Sequence, residues 1–298
     1  MEEHDLSRTQ KKLGEEMLDQ ITPLILTYNE APNIARTLER LSWARDIVVV
    51  DSFSDDETLS IVARFSQVRT FQRKFDSHQE QWNFALAETG IASEWVLALD
   101  ADYLLTGEVI EELRGLAPTG EVNGYRANFI YCINENPLRA SAYPPVTVLF
   151  RRAKSFYQQD GHTQRVHVEG KVDNLLAPIM HDDRKPIGHW LQAQARYMKI
   201  EAGKLTECDS ASLNWADRLR KMRVVAPLVM LFYVLIIKRA ILEGRAGLFY
   251  ALQRTVAELI LSLYLIEGDM RRAQHRLRDN ASVKKSPADL RDEVKEQG

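Results

Sequence analysis

Residues 95–102 have the sequence Trp95-Val96-Leu97-Ala98-Leu99-Asp100-Ala101-Asp102, an apolar run that ends abruptly in two carboxylates. Five apolar residues followed at once by charge indicate a buried strand whose end emerges at the edge of a sheet. In open α/β sheets, ligands bind at the carboxyl ends of the strands. Carboxylates one residue apart supply hard oxygen ligands, so the run predicts a site for a divalent ion and a diphosphate. The alternative is that Asp100 and Asp102 only cap a helix that begins near Thr106.

Strands and helices are predicted to alternate four times up to this point. Strands are predicted at 21–27, 47–50, 68–71 and 95–99. Helices are predicted between these strands at 32–43 and 78–88. A further helix is predicted to follow Ser54 or Asp55, its N-cap, and to end at about residue 66. Such alternation implies a parallel sheet with right-handed crossovers and helices on both faces.

Polar residues follow three of the predicted strands, at 27–30, 51–54 and 100–102. Because the carboxyl ends of parallel strands meet at one edge, we expect these clusters to converge on a nucleotide site. The chain contains neither GxGxxG nor GxxxxGK[ST], which argues against a dinucleotide-binding domain and a P-loop NTPase. Without a phosphate loop, a metal ion would be needed to neutralise the charge of a diphosphate. Asp100 and Asp102 can bind such an ion.

Composition indicates a folded globular protein of 298 residues with a net charge of −3, and it gives no sign of nucleic-acid binding. Cys132 and Cys208 have no CxxC partner, so we expect buried thiols in a reducing compartment. Residues 1–20 are densely charged and lack the apolar core of a secretory signal. We therefore expect a loosely held leader and an active domain that faces the cytosol.

Four ordered segments resemble motifs of the family 2 glycosyltransferases, which have the GT-A fold. These segments are Thr27-Tyr28-Asn29-Glu30, Val48-Val49-Val50-Asp51-Ser52-Phe53-Ser54-Asp55, the run 78–83 that ends in Asn83, and Asp100-Ala101-Asp102. The resemblance covers roughly residues 21–105. It implies a nucleotide-sugar donor, with a UDP-sugar as first choice, and Mg²⁺ or Mn²⁺ as cofactor.

The resemblance also implies roles for individual residues. Glu30 and Asp51 would contact the nucleoside, Asp100 would lie against the ribose and diphosphate, and Asp102 would bind the metal ion. The full set of implied donor-binding residues is Thr27, Asn29, Glu30, Asp51, Ser52, Asn83, Asp100, Arg184 and Lys185. Two alternatives stay open: Glu30 can simply favour a helix N-terminus, and Asn83 can be an ordinary polar residue on a helix surface.

A polar turn at 157–165 lies between two strand-like pieces. In the family, an acidic residue at about this point, often in a Glu-Asp pair, acts as the general base. Gln159 precedes Asp160 here, so the pair is incomplete. Inverting transfer needs one base within reach of the acceptor hydroxyl, and the resemblance implies Asp160, with His162 as second candidate. The alternative is that Asp160-Gly161 is only a tight turn.

The segment His181-Asp182-Asp183-Arg184-Lys185-Pro186 precedes a long predicted helix. This pattern resembles a subgroup of the family associated with lipopolysaccharide core and extracellular polysaccharide assembly. His181 would then be a further metal ligand or a diphosphate contact. Arg184 or Lys185 would neutralise the leaving nucleoside diphosphate. In the alternative, Asp182 and Asp183 cap the helix and the basic side chains are solvated.

Two apolar segments follow in the last third of the chain, at 224–237 and 248–266, with basic residues around them. The first is too short to cross a bilayer, which needs about twenty apolar residues. We therefore expect a helical hairpin that lies on the anionic inner leaflet. A soluble helical layer or a homo-oligomer interface is the alternative.

The predicted fold is α/β, a GT-A (Rossmann-like) mixed and mainly parallel sheet flanked by helices, with a C-terminal helical membrane-associating segment. The predicted parts are a charged leader at 1–20, a catalytic domain at 21–208, a helical hairpin at 209–268 and a charged tail at 269–298. Within the catalytic domain, 21–105 would bind the nucleotide-sugar and 106–208 the acceptor.

The predicted function is inverting sugar transfer to a lipid-linked saccharide at the cytoplasmic face of the inner membrane, by a peripheral or monotopic protein. One alternative is a transferase that makes a polyprenyl-phosphate sugar. The other is a non-catalytic membrane-bound protein that binds nucleotide-sugars.

Overall fold

A computed structural model describes residues 17–140, 143–160, 163–208 and 213–284. Its chain forms two compact units. The first unit, the catalytic unit below, extends to Leu191 and also contains Tyr233–Ala251. The second unit consists of Gln192–Phe232 and the residues from Leu252 onward.

The described part of the catalytic unit is built on thirteen strands and four helices that lie entirely within it. The strands are β1 (Ile21–Thr27), β2 (Ile47–Asp51), β3 (Val68–Gln72), β4 (Trp95–Asp100), β5 (Tyr103–Leu104), β6 (Val122–Ala127), β7 (Phe129–Ile133), β8 (Asn136–Pro137), β9 (Val146–Arg151), β10 (Ser155–Asp160), β11 (Thr163–Val168), β12 (Lys171–Asn174) and β13 (Ile179–His181). The helices are α1 (Ile34–Glu39), α2 (Thr58–Val62), α3 (His78–Glu88) and α4 (Gly107–Gly115).

The main sheet has the strand order β12-β6-β9-β4-β1-β2-β3. Strands β4, β1, β2 and β3 run parallel, whereas β9 is antiparallel to both β4 and β6. The predicted mixed and mainly parallel sheet is therefore confirmed.

Both faces of the sheet are covered, which explains the continuous apolar character of β4. Trp95, Leu97 and Leu99 belong to one core layer, while Val96 and Ala98 point into the other. A strand buried on both sides has no need of polar alternation. The first charged residue of β4 is therefore Asp100, its last residue.

A second sheet has the order β5-β13-β7-β8 and brings a distant segment to the end of β4. Strand β13 runs parallel to β7 and antiparallel to β5. Its last residue, His181, lies opposite Tyr103 on β5 and Tyr131 on β7. This pairing carries His181 to Asp102, the residue just before β5.

The remaining helices are α5 (Ile187–Glu207), α6 (Trp215–Arg220), α7 (Val225–Phe232) and α8 (Gly244–Lys284). Between α7 and α8 lie a π-helical turn, Tyr233–Ile237, and a 3₁₀ turn, Ala240–Glu243. Helix α8 continues well past residue 266, where the predicted apolar helix ends. One helical stretch in the described chain, Ala240–Arg278, is long and apolar enough by composition to cross a membrane.

The second unit has its own apolar core, which is formed by α5, α8 and Leu213. Met198 and Leu205 of α5 are buried together with Leu261 and Leu265 of α8. Arg220 lies among three buried carboxylates and bonds Glu258 at 3.1 Å. The middle of α8, up to Leu265, is therefore part of the core of this unit.

Candidate active site

The three predicted polar clusters meet at the carboxyl edge of the main sheet. In the strand register, Thr27 at the end of β1 lies opposite Asp51 at the end of β2. Leu26, one residue earlier, lies opposite Asp100 at the end of β4. The expected convergence of these clusters is thus a feature of the fold.

Direct hydrogen bonds join the loops that follow β1 and β2. The Asn29 amide donates to Asp55 at 2.7 Å, and the Asn29 backbone N–H donates to Ser54 Oγ at 2.9 Å. Asn29 and Phe53 adopt positive φ values of 54° and 61°. Such conformations are costly outside glycine and occur where the surroundings enforce them. The two loops therefore form one braced wall of the edge.

Asp51 is completely buried at the base of this wall. It accepts hydrogen bonds from the Thr27 hydroxyl at 3.0 Å and from the Ser54 N–H and hydroxyl at 2.9 Å and 2.5 Å. Ser52 donates its N–H to the Thr27 carbonyl and accepts from Gln81. Thr27, Asp51 and Ser52 thus shape the loops, and their contact with a nucleoside stays a prediction.

Asp102 and His181 form a pair at the centre of the site. His181 Nε2 lies 3.1 Å from Asp102 Oδ2, and the Asp182 N–H donates to the Asp102 carbonyl at 3.0 Å. Burial opposes charge on both side chains, but the attraction between the Asp102 carboxylate and the His181 imidazolium outweighs burial. This attraction lowers the pKa of Asp102 and raises the pKa of His181.

Three tyrosine rings enclose the His181 imidazole. Tyr103, Tyr131 and Tyr143 each meet it edge-on, with ring centroids 4.9–5.2 Å apart. The hydroxyls of Tyr103 and Tyr143 are joined by a 2.7 Å hydrogen bond. Ring packing of this kind fixes the orientation of the imidazole relative to Asp102.

Two further acids near this pair resist ionisation. Burial, together with the charge of Asp102, raises the pKa of Asp100 to about 6. Burial also raises the pKa of Glu30 to about 7, although Lys185 opposes the shift. An edge with this excess of carboxyl groups favours a bound cation, because a cation relieves their mutual repulsion.

Lys185 is bound to Glu30 in this structure. Its Nζ lies 2.5 Å from Glu30 Oε1, and both side chains are mostly buried. Burial opposes the charge of Lys185, but Glu30, Asp183 and Asp102 outweigh it and raise the pKa of Lys185. The predicted basic group thus lies next to the acids at the sheet edge.

Three residues that organise this region were not predicted as site residues: Asn33, Arg36 and Asp182. Asn33 is fully buried and donates to both Glu30 and Asp183, at 2.9 Å and 3.0 Å. Asp182 accepts from Arg36 and Arg184 at 2.8 Å each. Arg184 also pairs with Glu135. In the sequence, only the nearness of Asn33 and Arg36 to Glu30 hinted at this role.

The fit of the sheet edge to a divalent ion depends on Asp102 and the groups around it. Across the described ranges, no three His, Cys, Asp or Glu side chains are arranged to hold a metal ion. However, Asp102 Oδ1 and His181 Nδ1 are buried and have no hydrogen-bond partner among the described residues. Mg²⁺ is commonly held by one or two carboxylates while a substrate diphosphate supplies further ligands. Asp102 fits that mode, with Asp100 beside it.

Asn83 connects α3 to β10. Its side-chain amide donates to the Tyr157 carbonyl at 2.9 Å, and its Oδ1 accepts from the Tyr157 N–H at 2.8 Å. Asp160 is the last residue of β10, and its backbone pairs with Thr163 of the antiparallel strand β11. The predicted second base, His162, lies outside the described residues.

Residues 24–171 match the model of the family described as glycosyl transferase family 2. This domain belongs to glycosyl transferase family 2. The predicted family is therefore confirmed, and the matched residues contain Glu30, Asp51, Asp100 and Asp102.

Curated relatives of this family 2 domain are glycosyltransferases. An uncharacterized glycosyltransferase of Rickettsia felis is 29% identical over 111 residues, 37% of this chain and 38% of that protein. A second, from Rickettsia bellii, is 28% identical and is covered over 45% of its length. The chain thus matches less than half the length of these relatives. The lipopolysaccharide core biosynthesis glycosyltransferase LpsC of Rhizobium meliloti is 26% identical over 63% of this chain and 72% of LpsC.

Two solved structures are similar at low identity. The S. aureus TarS 1-349 complex with UDP-GlcNAc is 15% identical, with a TM-score of 0.42, over 85% of this chain and 92% of that chain. Glucosyl-3-phosphoglycerate synthase from Mycobacterium tuberculosis is 15% identical, with a TM-score of 0.40, over 64% of this chain and 81% of that chain.

Proposed function

We propose that this protein is an inverting glycosyltransferase that moves a sugar from a nucleotide-sugar to a lipid-linked saccharide in lipopolysaccharide or envelope polysaccharide biosynthesis. The observation that carries the proposal is the acid-rich edge of a family 2 domain, where Asp51, Asp100 and Asp102 follow neighbouring strands. A UDP-sugar is the first donor to test, because it is the donor that the family resemblance implies.

In this proposal the donor lies along the carboxyl edge. The nucleoside lies against the wall that contains Thr27, Asn29, Asp51 and Ser52, and the diphosphate lies toward Asp100 and Asp102. A divalent ion bound at Asp102, with His181 beside it, would offset the negative charge that develops on the leaving diphosphate. Lys185 supplies positive charge at the same edge, since it stays protonated next to Glu30.

Asp160 takes the acceptor proton in this proposal. The acceptor oxygen forms a bond to the anomeric carbon while the bond from that carbon to the β-phosphate oxygen breaks. The hydroxyl proton moves to the Asp160 carboxylate, and the nucleoside diphosphate leaves with the bonding electron pair. Attack from the face opposite the leaving group inverts the anomeric centre. His162 is the second candidate for the base.

A lipid-linked acceptor is proposed from two observations. LpsC carries lipopolysaccharide core biosynthesis in its name. The apolar stretch Ala240–Arg278 and the shorter apolar helix Val225–Ile237 would hold the protein against the cytoplasmic face of the inner membrane. A saccharide attached to a membrane lipid would then be presented to the site.

The proposal is tested by incubating the full chain with labelled UDP-sugars and a bacterial membrane-lipid extract. We expect a labelled glycolipid whose new anomeric bond, measured by NMR, is inverted relative to the donor. Asp160→Asn should lower the transfer rate roughly 100-fold or more, because it removes the base. The control variant Asp173→Asn, in a surface pair with Lys171, should transfer at the wild-type rate. Retention of configuration would overturn the inverting mechanism.

One feature favours a second candidate function, a transferase that makes a polyprenyl-phosphate sugar. Gln159 stands where the family often has the first acid of a Glu-Asp pair. A phosphate acceptor is already ionised and needs no base, so Asp160→Asn would then remain active on polyprenyl phosphate. A non-catalytic binding protein would instead bind a nucleotide-sugar without turnover in every lipid mixture.

A further inference from the structure

The catalytic unit presents an exposed apolar surface on residues 233–249, which we name the interfacial segment. Six of its apolar side chains are exposed by 41–77% of their surface: Ile236, Ile237, Ile241, Leu242, Leu248 and Phe249. Single exposed apolar residues are ordinary on soluble proteins. A contiguous group of this size marks a surface that contacts a partner or a membrane.

The segment is held firmly to the catalytic unit, so its exposure is built into the fold. Two of its own residues, Val234 and Ala240, are completely buried, and Tyr250 just after it packs against Tyr131 with the rings tilted and their centroids 5.1 Å apart. Glu243 Oε1 accepts a hydrogen bond from the Ala140 N–H at 3.0 Å. Leu242, between these anchors, has 77% of its surface exposed.

Charge around the apolar tips identifies the occupant. The segment contains three basic residues, Lys238, Arg239 and Arg245, against the single acid Glu243. Glu243 is half-buried and accepts a hydrogen bond from the Ala140 N–H, whereas Arg239 and Arg245 are exposed, so the exposed charge is basic. Basic side chains next to apolar ones suit the anionic surface of a bilayer. A twofold dimer would bring the basic residues of both copies into one interface, where like charges repel.

The continuation of α8 argues against a membrane span. Leu261 and Leu265 are buried in the core of the second unit, and Glu258 is held by Arg220 at 3.1 Å. A helix with an ion pair and core packing along its middle cannot expose that part to lipid without losing both. Any membrane contact that α8 makes therefore lies at its start, next to the two turns before it.

We propose that the interfacial segment inserts its apolar side chains into the headgroup region of an anionic membrane while Lys238, Arg239 and Arg245 contact lipid phosphates. The inference deepens the membrane part of the proposed function and does not depend on sugar transfer. Tyr131 contacts both Tyr250 and His181, so the residue that follows the segment is linked to the candidate active site through a single tyrosine ring.

The test is flotation of the full chain with phosphatidylcholine vesicles, with and without phosphatidylglycerol. We expect binding that requires phosphatidylglycerol. The variant Ile241→Glu/Leu242→Glu should bind at least about tenfold more weakly, since it places charge in the apolar layer. Lys238→Gln/Arg239→Gln should lose about fivefold per basic residue. Leu176→Glu, at a site with 88% exposure elsewhere on the same unit, should bind as the wild type does.

Three results would overturn the inference. The first is wild-type protein that does not float with anionic vesicles, and the second is undiminished flotation of Ile241→Glu/Leu242→Glu. The third is a dimer by light scattering that the same double variant dissociates, which would assign the surface to a second copy. Donor cleavage in lipid-free solution is measured in parallel, so loss of vesicle binding is distinguishable from failure of the proposed enzyme activity.

Discussion

Asp100 is a carboxylic acid whose ionisation is opposed by its surroundings, and this has a measurable effect on stability. Burial and Asp102 raise its pKa from 3.8 to about 6 in the folded protein. The folded state therefore binds an extra proton between these values, and its stability falls as pH rises from about 4 to about 6. Above about pH 6, Asp100 is ionised in both the folded and the unfolded state, so the loss of folding stability is complete and no longer changes with pH.

We therefore predict that Asp100→Asn stabilises the metal-free protein at pH 8 by roughly 1–3 kcal/mol. Near pH 4 the variant and the wild type should be about equally stable, because the acid is protonated there. Urea unfolding in EDTA at both pH values measures the difference. If the variant is no more stable than the wild type at pH 8, the charge of Asp100 does not destabilise the folded protein and the prediction is wrong.

Glu30 and Lys185 form a mostly buried ion pair at the sheet edge, and removing one partner gives a second prediction. Lys185→Met leaves the Glu30 carboxylate buried without its cation, which should cost roughly 2–4 kcal/mol of unfolding free energy at pH 8. The loss should shrink at pH 5, since the raised pKa of Glu30, about 7, lets it take up a proton there. The double variant Glu30→Gln/Lys185→Met should recover most of the stability at pH 8. Equal losses at both pH values would show that the loss does not come from the unpaired charge of Glu30.

At the residue scale, the acids were predictable and their partners were not. Asp51, Asp100 and Asp102 follow apolar strands, so their place at one edge follows from local pattern and sheet chirality. Asn33 and Arg36 contact Asp182 and Asp183, which lie about 150 residues away in the chain. No local pattern predicts such contacts, because they depend on how β13 pairs with β7.

The strands and the helix at 78–88 were predicted more accurately than the first two helices. The predicted strands at 21–27 and 95–99 differ from β1 and β4 by at most one residue. In contrast, α1 is shorter than predicted, and the expected N-cap at Ser54 or Asp55 is wrong. Helix α2 begins at Thr58, because Ser54 and Asp55 bond instead to Asp51 and Asn29. Tertiary hydrogen bonds here override the local capping preference.

The first turn of α8 depends on a glycine at position 247. A Cβ at Gly247 would overlap the Ala240 carbonyl, whereas a Cβ at Gly203 in α5 would meet nothing. We predict that Gly247→Ala lowers the unfolding free energy by about 1–3 kcal/mol through overpacking. Gly203→Ala should raise it by about 0.5–1 kcal/mol, because alanine is the better helix former. Thermal unfolding compares the two, and Gly247→Ala as stable as Gly203→Ala would contradict the close contact.

At the scale of the whole molecule, the sequence predicts a catalytic part and a helical part but not how the chain is shared between two units. Residues 233–251 return to the catalytic unit after α7 has joined the second unit. Helix α7 and residues 233–251 are similarly apolar in sequence. Apolar composition indicates that a segment is buried or contacts a membrane, but it does not indicate which unit the segment packs against. The predicted bounds at 21–208 and 209–268 therefore stay a prediction.

The central claim is that the acid-rich edge cleaves a nucleotide-sugar. The most direct measurement is nucleoside diphosphate release from UDP-, GDP- and dTDP-sugars, with Mg²⁺, Mn²⁺ or EDTA, by wild type, Asp102→Asn and the control Asp173→Asn. We predict slow release from one donor, abolished by EDTA and reduced by roughly 100-fold or more in Asp102→Asn. No release from any donor, even with a membrane-lipid extract present, or an Asp102→Asn variant as fast as the wild type, would contradict the account.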